Sequence, residues 1–161
     1  MEFIEHNHNI VFNKHLFTLI PDFNTNGNLP PGIHFVTFDE FIVRFGYNSQ
    51  RNYLLSGFRE LIKNLKSAGC SRVFVDGSFT TNKELPNDYD MCWDATGVDP
   101  YKLESSLLDF STNGRIVQKG KFFGDIFPAQ LTEKSRGIAF INFFQVDKLT
   151  GDSKGIIAIN L

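Results

Sequence analysis

Asp88 and Asp90 lie one residue apart in the stretch VFVDGSFTTNKELPNDYDMCWD, residues 73–94. Read as a strand, Asp88 to Asp94 alternates faces: Asp88, Asp90, Cys92 and Asp94 share one side, and Tyr89, Met91 and Trp93 share the other. The apolar side goes to the core. At a rise of about 3.3 Å per residue, the two carboxylates stand about 7 Å apart along the strand. Like charges that close cost energy unless a cation or proton lies between them. A hard dication such as Mg²⁺ takes oxygen ligands, commonly one or two carboxylates together with substrate phosphates. The spacing therefore suggests a metal platform.

Gly77-Ser78 supplies the other half. A glycine directly after a β-branched run lets the backbone turn sharply and approach a ligand closely. The amides that follow can form an anion-binding nest, to which the Ser78 hydroxyl adds a donor. The nine residues between Ser78 and Asp88 allow a turn and a short loop back to a neighbouring strand. A phosphate cradle and a metal platform on adjacent strand ends suit phosphoryl or nucleotidyl transfer, where positioning and charge neutralisation do nearly all the catalysis.

Several elements must hold these residues in place. Residues 1–31 read as an N-terminal arm, since DFNTNGNLPPG is turn chemistry throughout. Thr37 with Glu40 forms a capping box ahead of Phe38, Phe41, Ile42 and Phe45 on one helical face, and Gly46 closes that helix. From about Ser49 to Ala68, Leu54, Phe58, Leu61, Ile62 and Leu65 recur at helical spacing. Arg51, Arg59, Lys63 and Lys66 fall on the wet face of that helix. Arg72 to Asp76 reads as a buried strand. Asp99-Pro100 opens a helix carrying Leu103, Leu107 and Phe110, and Asn113-Gly114 turns the chain. Lys121 to Phe127 reads as a strand stopped by Pro128, Ile138 to Phe144 as helix or strand, and Ile156 to Leu161 as a last strand. Helices and strands alternate without repeats or a linker, which predicts one α/β or α+β domain over residues 1–161.

Composition sets the outer limits. The chain has 161 residues, 42% of them hydrophobic and 21% charged, which is globular. With a formal net charge of −2, the total gives no footprint for coating nucleic acid or a membrane surface. Two cysteines, Cys70 and Cys92, make no disulfide framework and fit a reducing cytoplasm. The start carries Glu2 and Glu5 instead of a basic segment, and no window of about 18 apolar residues is present, so neither a signal peptide nor a membrane helix is expected.

Strand, Gly77-Ser78, about ten residues, then Asp88-x-Asp90 on the next strand resembles the signature of the DNA polymerase β-type nucleotidyltransferases, in particular their minimal bacterial members. LPPGIH, VDGSFTTNKELPNDYD and FFQVDKLTGDSKGI also resemble a family of small bacterial proteins of unknown role placed in that superfamily. The resemblance implies a mixed sheet flanked by helices and a Mg²⁺- or Mn²⁺-dependent transfer of a nucleoside monophosphate from a nucleoside triphosphate. The acceptor would be a hydroxyl of a protein, an RNA or a small molecule. Asp88 and Asp90 would hold metal. Gly77 and Ser78 would hold the β- and γ-phosphates, with Lys83 in the intervening loop as a further triphosphate contact. A third carboxylate is implied on a later strand: Asp125 in FFGDIF is assigned to it as metal ligand and base, with Asp147 as the fallback. Asp94 is a rim residue. Small members of this kind imply a second copy or a helical protein partner, in some cases in a toxin–antitoxin setting. The rival reading is a non-catalytic binding module, such as an antitoxin, on the same fold.

Lys83 and Lys154 read equally as solvated loop lysines. No helical C-terminal lobe follows to wall the base and acceptor, so residues 1–70 or a second subunit must supply that wall. His6, His8, His15 and His34 lack cysteine or acidic partners at zinc-ligand spacing. Cys92 has no nearby His and reads as a small buried side chain.

Overall fold

The computed structural model describes residues 20–161. The histidines at 6, 8 and 15 and the first part of the expected arm lie outside the described residues. Strand β1 (Gly32–Val36) leads into α1 (Phe38–Phe45) and α2 (Ser49–Ser67), followed by β2 (Arg72–Asp76), β3 (Tyr89–Trp93), α3 (Thr112–Phe122) and β4 (Gly124–Pro128). A two-stranded hairpin, β5 (Thr132–Glu133) and β6 (Ile138–Ala139), the short α4 (Phe140–Phe143) and β7 (Gly155–Asn160) complete the fold. Five strands form a mixed sheet in the order β1-β7-β2-β3-β4. β2 runs antiparallel to both its neighbours, while β1–β7 and β3–β4 are parallel. The fold is therefore α+β.

Alternation of side chains along the strands divides the sheet into two apolar faces. Val73, Val75, Tyr89, Met91, Trp93, Ile126, Ile157 and Ile159 pack with Phe41 and Phe45 of α1 and with Leu54, Phe58, Leu61 and Leu65 of α2. The opposite face has its own smaller core, in which Phe74, Cys92, Phe127, Ile156 and Ala158 meet Phe140 and Phe144. α1 begins with the expected capping box, Thr37 accepting from the Glu40 amide and Glu40 from the Thr37 amide. The second helix also follows its periodicity, but Arg51 does not lie on the wet face. It is fully buried, and donates to the carbonyls of Phe79 (2.7 Å), Thr81 (3.1 Å) and Lys83 (2.5 Å). A planar guanidinium with five donors can tie together a loop that a single ammonium could not.

Four other expectations change. β1 lies where the sequence marks no strand, and its register with β7, from Gly32↔Gly155 to Val36↔Ile159, makes it the sheet's edge. Asp99 does cap, accepting from the Tyr101 amide, but the chain makes two short 3₁₀ turns, at Pro100–Lys102 and Ser105–Leu108, and no α-helix. The helix comes later: Ser111 accepts from the Gly114 amide and starts α3 across the Asn113-Gly114 pair expected to turn. That helix runs through Phe122, and Phe123, at φ 65, reverses the chain so that the strand begins only at Gly124. Ile138 to Phe144, open between helix and strand in the sequence, is both. Among the described residues, no helix is long and apolar enough to cross a membrane.

Candidate functional site

The register of the sheet brings three acids into one row. Asp76 is opposite Asp90 across β2–β3, and Asp90 is opposite Asp125 across β3–β4. Residues directly opposite share a face, with β-carbons about 5 Å apart, so the row crosses three adjacent strands. Asp88, two residues before Asp90, belongs to the same side. The sheet thus places Asp88, Asp90 and Asp125 together and adds Asp76, which the sequence reading left inside its buried strand.

Each acid has a different electrostatic environment. Lys154, in the turn before β7, stands 2.8 Å from Asp76 Oδ1. Lys154 is the cation that compensates this buried oxygen. Burial raises the pKa of Asp76 against the pull of Lys154. Burial first, and then the charge of Asp76, push the Asp90 carboxyl up to about 6. On the other side, Lys119 Nζ lies between Asp88 Oδ2 (2.6 Å) and Asp125 Oδ2 (3.1 Å), and Arg115 reaches Asp125 Oδ1 at 2.7 Å. Burial would raise Asp125, but its bonds from Arg115 and Lys119 outweigh this and hold the carboxyl below its ordinary range. Arg115 and Lys119 are one turn apart on α3 and present both cations to the row.

Gly77 has φ 79 and ψ −166, a region essentially restricted to glycine. A β-carbon there would stand 2.2 Å from Asp90 Oδ2. The close approach foreseen for this glycine is thus made in the structure by the Asp90 carboxylate. Ser78 opens a short 3₁₀ turn, Ser78–Thr80, closed by the Thr81 amide bonding to the Ser78 carbonyl at 3.3 Å. Lys83 is exposed on the loop pinned by Arg51, and among the described residues it pairs with none of the acids. Asp147 caps its own turn, accepting from the amides of Leu149 and Thr150 and from Asn28. Asp94 caps the turn after β3 through the Thr96 amide and Gln130. Cys92 is wholly buried, and burial pushes its thiol up, which leaves it unreactive. His34 bonds to the Pro30 carbonyl at 2.7 Å.

A cleft of about 390 Å³ opens on Asp90 and Asp125. Its walls carry Phe110, Phe127, Phe140 and Phe143 with Arg115 and Lys148. Among the described residues, the cleft beside the acids is lined by residues that follow the row's first strand, and none of residues 20–70 lines it. A larger cavity of about 490 Å³ runs along α2 beside Phe38, Arg59 and Ile62 and includes none of the acids. The row of acids opens on the smaller one.

The donor set fits a hard dication. It is all carboxylate oxygen, the ligand type such an ion takes. Among the described residues, no three such ligands are already grouped for a metal, and Lys119 bridges two of the acids that would be needed.

The fold and the row of acids define an α+β domain with a carboxylate-lined cleft at its strand ends. The chain belongs to a family described as a family of unknown function, DUF6932, which it matches over residues 21–160. No curated protein and no solved structure matches it significantly.

Proposed function

We propose that this protein is a metal-dependent nucleotidyltransferase that moves a nucleoside monophosphate from a nucleoside triphosphate onto a hydroxyl acceptor. The observation that carries this reading is the row Asp76–Asp90–Asp125 across three neighbouring strands, with Asp88 beside it and Gly77-Ser78 at its edge. Asp88, Asp90 and Asp125 would hold Mg²⁺ or Mn²⁺, which supplies charge neutralisation at the phosphates and acidifies the acceptor hydroxyl. Gly77 and Ser78 orient the β- and γ-phosphates. The acceptor oxygen bonds to the α-phosphorus, the bond from that phosphorus to the α–β bridging oxygen breaks, and pyrophosphate leaves with the electron pair. The hydroxyl proton passes to a carboxylate of the row. The cations that hold Asp125 low count against it as that base.

The test is incubation with each α-³²P-labelled nucleoside triphosphate and Mg²⁺, in the presence of cellular RNA and protein. Labelled acceptor and released pyrophosphate are expected from the wild type and neither from Asp88→Asn or Asp90→Asn. One feature favours the rival reading, a non-catalytic module: the chain's own Lys119 and Lys154 already neutralise acids of the row. Nucleotide bound without turnover would decide for it.

A further inference from the structure

The cleft beside Asp90 and Asp125 combines two chemistries seldom needed together. Its aromatic wall is ordered: Phe127 and Phe140 stack with centroids 3.9 Å apart and planes 5° from parallel, and Phe143 meets Phe140 edge-on at 6.0 Å. Phe110, at the mouth, keeps 38% of its surface exposed. The cations sit on these rings. Arg115 lies 5.0 Å over Phe127, Arg136 lies 5.6 Å over Phe143, and Lys148 Nζ lies 5.4 Å over Phe143. Glu133, the acid of the hairpin that also lines the cleft, is occupied in its own turn by Ser135 and the Arg136 amide.

Exposed aromatic surface with cations lying over neighbouring ring faces suits a ligand that has both a planar ring and several negative charges. We infer that Phe110 and Phe143 contact the base, and Arg115 and Lys148 the phosphates, of the nucleoside triphosphate. The α-phosphorus then faces Asp90 and Asp125 at the cleft's inner end. The inference rests on the nucleotidyl-transfer reading for the identity of the ligand, and it gives these four residues the selection of the nucleotide. It also moves the triphosphate contact from Lys83, which is exposed on another loop, to Arg115 and Lys148.

The test is calorimetric titration of the full chain with each nucleoside triphosphate, with inorganic tripolyphosphate and with the free nucleosides, in EDTA and again in Mg²⁺. Wild-type protein is expected to bind a triphosphate even in EDTA. Phe143→Leu and Lys148→Glu should each weaken it at least about tenfold. Lys148→Glu should also weaken tripolyphosphate, whereas Phe143→Leu should not. Lys148 is exposed, so its variant carries the test if Phe143→Leu does not fold. Unchanged triphosphate affinity in Lys148→Glu, or in both variants, overturns the inference. Transfer activity with unchanged affinity and KM in the variants would sink this subsite and leave the transfer reading standing. Binding that responds as described, without turnover, would sink transfer and keep the subsite. No nucleotide binding under either condition overturns the inference.

Discussion

The α-carbon of Gly77 lies so close to the Asp90 carboxylate that a β-carbon on it would stand 2.2 Å from Asp90 Oδ2. The turn after β2 and the central acid of the row are therefore one packing unit. Gly77→Ala should destabilise the protein by about 1–3 kcal/mol from the backbone alone, with a further cost from the displaced carboxylate. That further cost should vanish when Asp90→Ala removes the carboxylate, while the backbone cost stays. Urea unfolding of both single variants and the double variant measures it as a coupling energy. An equal cost of Gly77→Ala in both backgrounds rules the contact out.

Asp90 also makes stability depend on pH. Unfolded, its carboxyl titrates at the ordinary value of 3.8; folded, burial and Asp76 place it at about 6. Between those values the native state binds the proton more tightly. Stability from this group therefore falls as pH rises through that window, and the loss is complete above it. The size is on the order of 2–3 kcal/mol. Asp76 is shifted in the same direction and Asp125 in the opposite one, so the informative quantity is the difference between wild type and Asp90→Asn. In EDTA, Asp90→Asn should gain on wild type from pH 4.5 to pH 7.5 by about that amount. A constant difference across the range would show that Asp90 titrates normally.

Arg51 organises the loop between β2 and β3 without any acid partner among the described residues. Arg51→Met leaves the carbonyls of Phe79, Thr81 and Lys83 without their donors, and a loss of about 3 kcal/mol is expected. Arg51→Lys should recover little, because a single ammonium cannot span carbonyls that a guanidinium fork reaches together. Amide exchange in residues 79–86 should rise in both variants. A lysine variant as stable as wild type would show that charge alone suffices.

How far the sequence shows all this depends on whether a signal is local. The capping box at Thr37, the periodicity of α2 and the alternation expected over Asp88–Asp94 are written in neighbouring residues, and the structure follows them, with the strand itself confined to Tyr89–Trp93. Asn113-Gly114 misleads because a dipeptide typical of turns fits equally well inside a first helical turn capped by Ser111, a signal that was present. Phe123 at φ 65 has no local signature, so the start of β4 falls later than its apolar run suggests. Asp76 was legible in part: an acid ending the run Val73-Phe74-Val75 is costly to bury. Its position opposite Asp90 depends on strand pairing, and so do the cations of α3, whose helix was not expected. Arg51 looked solvated because helical periodicity places a residue on a face and says nothing of a loop folded over that face.

Lys119 gives the last prediction. Its ammonium lies between Asp88 and Asp125, 2.6 Å from one and 3.1 Å from the other, where a divalent cation bound by both acids would have to displace it. The side chain is 47% exposed, so water screens the pair and the competition is modest, roughly 0.4–1 kcal/mol. Lys119→Met should therefore tighten Mn²⁺ binding about two- to fivefold. The same substitution leaves two acids facing each other without their cation, and should lower metal-free stability slightly. Lys119→Met/Asp88→Asn should lose the gain, since half of the pair is then gone. Titration calorimetry with Mn²⁺ reads all three proteins. Unchanged or weaker Mn²⁺ affinity in Lys119→Met would mean that the ammonium does not stand where the metal binds, and the metal site would have to be sought at Asp76 and Asp90 alone.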